Sequence, residues 1–225
     1  MRNCCIIVAG GNGTRMGSEL PKQFLPLAGL PVLMHTMRNF YEYDPTLQLI
    51  LVLPAGEIQS WKELCSQHHF EIFHEIIAGG PTRFQSVKNG LSLVTDCELI
   101  AIHDGVRPLV SHGTIKRCFG KAEQKGSAIP VLPSNESVRE GSLSKSVPVD
   151  RCHYFLVQTP QVFRASALQK SYDQTWNASF TDDASVFEQA GNKVELVLGN
   201  RENIKITFPE DLQIAELFLK AKAES

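Results

Sequence analysis

Cys4-Cys5-Ile6-Ile7-Val8-Ala9-Gly10-Gly11-Asn12-Gly13-Thr14-Arg15-Met16-Gly17, closed by Pro21-Lys22-Gln23, runs an apolar segment straight into a glycine-rich loop. The apolar half reads as a buried strand, and Gly10, Gly11 and Gly13 let the backbone turn tightly with its N–H groups aimed at an anion. Arg15 and Lys22 add positive charge, so the loop suits phosphates better than a bare Gly-Gly surface turn would. Two standard phosphate motifs fail here. A Walker loop needs glycine five positions after its first, where Met16 stands after Gly11, and no Gly-Lys pair follows. The dinucleotide fingerprint also breaks at Met16, and the second strand, Leu47 to Leu53, ends in Pro54-Ala55-Gly56 where a ribose-binding acid belongs.

Outward from that strand, apolar segments recur at Cys4–Ala9, Leu47–Leu53, Ile72–Ile77, Glu98–His103 and Ser127–Val131. Helix-like stretches separate them near Val32–Tyr41, Glu57–Gln67, Arg83–Leu93 and Thr114–Lys125. This alternation predicts a Rossmann-like α/β fold with a mainly parallel sheet flanked by helices. Right-handed crossovers leave ligand loops at the carboxyl ends of the strands, so the glycine loop and His103-Asp104-Gly105 are expected on one side. Between Leu132 and Asp150 the pattern turns polar and alternating around Glu140-Gly141, which reads as a projecting hairpin. A lone two-stranded ribbon is marginal in water, so a second copy of the chain is its simplest support. Further on, a strand is expected near Tyr154–Val157, helices near Ala165–Thr175 and Asp183–Ala190, strands around Val194–Leu198 and Ile204–Thr207, and a final helix from Glu210. The 225 residues are expected to form one domain, 1–225, with an arm at about 132–150.

With 43% hydrophobic residues and a net charge of −2, the chain lacks the basic excess of a nucleic-acid binder, and a small anionic substrate fits it better. No apolar run approaches the roughly 20 residues that cross a bilayer. A single Arg2 before a short apolar run is a poor export signal, so the expected location is cytoplasmic, without a membrane. Cys4, Cys5, Cys65, Cys97, Cys118 and Cys152 show no C-x-x-C spacing and read as reduced, mostly buried thiols. His68, His69 and His74 lack a matching ligand frame for a metal and read as surface residues.

Asp104 ends an apolar strand, and one such carboxylate facing a polyphosphate suffices for Mg²⁺ or another divalent cation, although it equally suits a helix cap. Arg107 stands where it can pair with it across the turn. In Ala78-Gly79-Gly80-Pro81-Thr82-Arg83-Phe84-Gln85-Ser86, the glycines allow close approach of a planar ring; Thr82 is the better helix cap and Ser86 the better ligand candidate. Lys205 lies within Asn203-Ile204-Lys205-Ile206-Thr207, where a strand lysine ordinarily points to solvent; convergence with Lys22 on one phosphate would make it catalytic.

Together, Ala-Gly-Gly-x-Gly-x-Arg-Met with Pro-Lys-Gln, Ala-Gly-Gly-x-x-Arg-x-x-Ser, His-Asp-x-x-Arg-Pro, Val-Asp-Arg, Gln-Thr-Pro-Gln, Thr-Asp-Asp and Asn-Ile-Lys-Ile-Thr follow one another in an order that resembles the 2-C-methyl-D-erythritol 4-phosphate cytidylyltransferases. The resemblance spans nearly the whole chain. It implies that Ala9, Gly10, Gly11, Asn12 and Gly13, with Arg15 and Lys22, hold the phosphates of CTP, that Gly80 and Ser86 read cytosine, and that Asp104 holds Mg²⁺. It also implies that the 132–150 arm embraces a second subunit, so that Ser137 and Arg151 meet the acceptor's phosphate in the partner's site, with Thr159, Thr181, Arg107 and Lys205 completing the pocket. Arg15, Lys22 and Lys205 are the catalytic group on this reading. Val8 stands where the family often has proline, and Pro81 where an acid is common. Two other functions are weighed: a ribitol 5-phosphate cytidylyltransferase, differing only in the polyol pocket, and a non-catalytic nucleotide-binding module. A glycosyltransferase is disfavoured by the lack of an Asp-x-Asp motif.

Overall fold

The computed structural model describes residues 2–10 and 20–223. In chain order the elements are β1 (Arg2–Val8), β2 (Pro26–Leu27), β3 (Leu30–Pro31), α1 (Val32–Tyr43), β4 (Gln48–Leu53), α2 (Ile58–Gln67), β5 (Glu75–Ala78), α3 (Arg83–Leu91), β6 (Cys97–Asp104), α4 (His112–Lys125) and β7 (Ser127–Pro133). There follow β8 (Val138–Gly141), β9 (Ser146–Val149), β10 (Phe155–Val157), β11 (Gln161–Arg164), α5 (Ala165–Ser171), α6 (Asp183–Gln189), β12 (Leu196–Leu198) and α7 (Pro209–Ala223). The main sheet runs β10-β7-β11-β6-β1-β4-β5, with β12 alongside β7. Strands β6, β1, β4 and β5 are parallel, and β11 is antiparallel to both β6 and β7.

Burial on both faces explains why the central strands are almost continuously apolar. Side chains alternate across the sheet: Cys5, Ile7, Leu49 and Leu51 pack under α1, α2 and α4. Cys4, Ile6, Ile50 and Val52 pack against α3, α5 and α6. Local chemistry sets the helix ends. Thr82 accepts the Gln85 N–H at 3.1 Å to start α3, and Gly126, at φ 93°, closes α4 in the left-handed conformation that glycine adopts freely.

Several expectations need correction. The segment 204–207 is not a strand; a long-range backbone bond, Ile206 N–H to Val106 O at 2.9 Å, ties it down. Strand β11 has little local signature, because its four residues follow Pro160 and carry only Val162 and Phe163 as apolar signal. The hairpin exists as β8 and β9, but Glu140 and Gly141 are strand residues and the turn runs from Ser142 to Lys145. His74 is partly buried, accepting from Trp61 Nε1 at 2.9 Å, and burial lowers its pKa. All six cysteines are free thiols, yet only Cys4, Cys5 and Cys118 are fully buried, and Cys152 is exposed. No described helix is long and apolar enough to cross a membrane.

Candidate active site

The carboxyl ends of β1, β4, β5 and β6 converge because each strand's last ladder bond carries into its loop. Ala9 donates to Val52 O at 2.9 Å, Gly79 to Leu53 O at 2.7 Å and Gly105 to Val8 O at 2.8 Å. At Gly105 a side chain has no room: a Cβ would lie 2.8 Å from that of Ala9. Above these ends opens a cleft of about 240 Å³ lined by Gly10, Lys22, Gly80, Ser86, Asp104 and Lys205, among others. Gln23 fastens the turn carrying Lys22 by donating to Ala9 O at 3.0 Å, and Lys22 Nζ donates to Ile206 O at 3.2 Å. Gly11, Asn12, Gly13 and Arg15 lie outside the described residues.

Ser86 lines this cleft as a prop. Its hydroxyl accepts from Gly80 N–H at 3.1 Å and donates to Thr82 O at 2.9 Å, so its proton is already engaged. The glycines beside it serve the same packing: a Cβ on Gly79 would meet Ser86 Oγ at 2.8 Å, and one on Gly80 would meet the Gln85 side chain.

Asp104 is the electrostatic centre. Lys205 Nζ lies 3.0 Å from Oδ2, Arg107 Nε 3.4 Å from Oδ2, and Arg83 Nη2 3.6 Å from Oδ1. Burial alone would raise its pKa, but Arg83, Lys205 and Arg107 outweigh that and hold the carboxyl well below the usual range. Burial also lowers the pKa of Arg107, opposed by Asp104. Lys205 reaches Asp104 because its neighbour Ile206 is wholly buried in a small cluster with Leu27, Val32, Val106 and Ala215. Its side chain keeps 44% exposure, but it faces the carboxylate.

A second cleft, about 300 Å³, shares Arg83, Asp104 and Lys205 with the first and adds Arg107, Thr159 and Thr181. Asn203 braces it, accepting from Arg107 Nη1 at 2.7 Å through its carbonyl and donating its amide to Thr159 O at 2.8 Å. Ser137 and Arg151 line neither cleft; both are exposed at the arm, where Arg151 donates to Asn135 O at 2.6 Å.

Beneath Asp104 lies a fully buried histidine. Thr159 Oγ1 accepts the Asp104 N–H at 3.1 Å, which leaves its own proton for His103 Nδ1 at 3.0 Å. Nε2 therefore carries the ring proton and donates to Arg107 O at 3.1 Å. Burial pushes the His103 pKa down to about 4. Because the unfolded state binds the extra proton first, this neutral imidazole contributes stability above about pH 6.5 that is lost as pH falls toward 4, on the order of 3 kcal/mol in full. Urea unfolding across that window should show a steeper decline for wild type than for His103→Asn, and equal slopes would refute the assignment.

Sequence reasoning assigned no role to Arg83, Asp183 or Asn203. Arg83 stands inside Ala-Gly-Gly-x-x-Arg-x-x-Ser and Asp183 inside Thr-Asp-Asp, but nothing in either pattern says that they meet across a separation of 100 residues.

Parallel strand ends that set cations around one carboxylate, at a wall shared by two clefts, define an α/β site suited to two anionic ligands that meet at that wall. The sequence pattern of the 2-C-methyl-D-erythritol 4-phosphate cytidylyltransferases matches residues 3–221. The enzyme of that name from Bacteroides fragilis is 54% identical over 97% of this chain and all of its own, and that from Bacteroides thetaiotaomicron 53% over the same shares. A crystal structure of the Thermus thermophilus enzyme superposes with a TM-score of 0.80 at 29% identity, covering 98% of this chain and all of that one. The chain belongs to the 2-C-methyl-D-erythritol 4-phosphate cytidylyltransferase family.

Proposed function

We propose that the chain, read as one domain over residues 1–225, transfers the cytidylyl group of CTP to 2-C-methyl-D-erythritol 4-phosphate, a step of non-mevalonate isoprenoid synthesis. The products are 4-diphosphocytidyl-2-C-methyl-D-erythritol and pyrophosphate. The observation that carries this is the shared wall: Asp104 and Lys205 border both clefts, so groups bound in each meet there. CTP occupies the first cleft, with its phosphates over Ala9, Gly10 and Lys22 and onto Gly11, Asn12, Gly13 and Arg15, and its base toward Gly80 and Ser86. The acceptor occupies the second, against Arg107, Thr159, Thr181 and Lys205.

A phosphate oxygen of the acceptor attacks the α-phosphorus in line with departing pyrophosphate, without a covalent enzyme intermediate. A phosphate monoester is already nucleophilic near neutral pH, so the protein's work is to align two anions and neutralise the charge between them. Lys22 and Lys205 enter from separate segments that Ile206 holds together, the first on its carbonyl and the second through its place beside it in the chain. Among the described residues no cluster of three metal-ligating side chains exists, and a lone carboxylate such as Asp104 fits Mg²⁺ that arrives on phosphates and keeps several waters. Asp104 would hold such a cation, whose charge would help neutralise phosphoryl oxygens. Neither substrate crosses a bilayer unaided, which suits a cytoplasmic reaction.

The arm supports a homodimer. Phe155, Leu156 and Val157 of the edge strand β10 are all exposed, as is Tyr154 just before it; Val147 on the arm and Leu198 on β12 are exposed as well. Apolar exposure on a sheet edge suits an interface, and on this reading a second copy would bring Ser137 and Arg151 to a neighbouring acceptor cleft. Leu156→Asp should sediment as a monomer with turnover reduced at least tenfold; a dimer with normal turnover would refute the arrangement.

The test of function is pyrophosphate release with Mg²⁺ and CTP. Release is expected with methylerythritol 4-phosphate and not with ribitol 5-phosphate or without acceptor. Release with ribitol 5-phosphate alone would overturn the acceptor, and CTP binding without release would leave only a nucleotide-binding module.

A further inference from the structure

Arg83 is the first residue of α3 and lines both clefts, with its side chain 31% exposed. On its buried side it forms a two-pronged pair with Asp183, Nη1 to Oδ1 at 2.8 Å and Nη2 to Oδ2 at 2.6 Å. Asp183 has no exposed side-chain surface and also accepts the Tyr172 hydroxyl at 2.6 Å. These bonds fix the plane of the guanidinium while taking two of its five N–H groups. Its contact with Asp104, at 3.6 Å, is the longest of the three that carboxylate makes with cations.

We propose that Arg83 is a further catalytic residue, a guanidinium locked by Asp183 and Tyr172 at the wall between the clefts so that its remaining N–H groups bind the phosphoryl oxygens passing from one substrate to the other. The inference rests on the two-cleft reading above. Lys205 is suited to movement: its contact with Asp104 is a single point on a flexible stem. Arg83 is suited to staying still, because Asp104 can turn toward an incoming ligand without releasing the guanidinium from Asp183. Donors that need no reorganisation as charge shifts are what stabilises a phosphoryl transition state. A purely structural role explains the pair less well, since well-packed apolar residues of similar volume often replace a buried ion pair without loss of stability. A pair retained for stability alone has no reason to stand at the junction of two polar clefts.

The double variant Arg83→Met/Asp183→Asn separates the roles, because it removes both charges together and leaves Tyr172 an amide oxygen to donate to. Thermal melting, calorimetric CTP affinity, and kcat and KM for both substrates are measured on the full chain. A melting point within a few degrees of wild type, CTP affinity within about threefold and kcat lowered at least 10²-fold are expected. Stability and kcat both near wild type would reduce Arg83 to a charge-neutralising tie and overturn the proposal. If the double variant does not fold, Arg83→Lys keeps a charge for Asp183; a kcat at least tenfold down with an unchanged melting point supports the role, and wild-type kcat overturns it. Failure of the parent reading shows separately, as wild-type protein that releases no acceptor-dependent pyrophosphate.

Discussion

Lys22→Ala is expected to lower kcat by about 10²–10³, some 3–4 kcal/mol of barrier, with the fold intact. The ammonium group reaches a cleft that already holds Lys205, and the acceptor and the α-phosphate repel one another until both charges are neutralised. Lys22 is only 9% exposed, and its Nζ rests on Ile206 O at 3.2 Å, so the cation is confined to the cleft before any ligand enters. Its turn is also fastened by Gln23, which donates to Ala9 O independently of the ammonium group, and this is why alanine should leave the backbone in place. Lys22→Arg should recover only part of the loss, because a planar fork does not reproduce a point charge on a flexible stem. Steady-state pyrophosphate release, with CTP affinity measured separately, decides the matter. Turnover within threefold of wild type would remove Lys22 from the catalytic group.

Asp183→Ala is expected to destabilise the chain by about 3 kcal/mol, because breaking one side of a largely buried pair leaves the Arg83 charge with the longer 3.6 Å contact to Asp104 in place of two short bonds. Arg83 loses both of its short bonds and Tyr172 its acceptor. Burial alone disfavours the Arg83 charge, and Asp183 with Asp104 more than offsets this, holding its pKa above the ordinary value. Burial, reinforced by Asp183, likewise raises the Tyr172 pKa well above normal, so the phenol remains a donor at any ordinary pH. For a chain of this length the loss corresponds to a melting point lower by roughly 10 °C. A shift under about 2 °C would mean that the pair is solvated and contributes little.

The parts of this molecule legible in its sequence share one property: each rests on residues close together in the chain. The strand ahead of Gly10, the cap at Thr82, the Asp104–Arg107 pairing and the β8–β9 ribbon all follow from local pattern. What escaped depends on distant segments. Residues 204–207 alternate like a strand, yet only one backbone bond reaches Val106, and β11 is a strand because β6 and β7 present ladders on either side of four unremarkable residues. Spacing likewise cannot reveal that the hydroxyl of Ser86, expected beside a ligand, also joins Gly80 to Thr82.

By itself, then, the sequence determined the α/β class and the family, and pointed to Asp104, Lys22 and Lys205 as candidates, because periodicity, glycine loops and motif order are properties of the chain. The tertiary structure alone decided which charges share one space. Lys205 meets Asp104 from 101 residues away because Ile206 is buried beneath it, and Arg83 is held by a carboxylate 100 residues on. Electrostatic interaction depends on separation in space and on exclusion of water, and both are set only when the core closes.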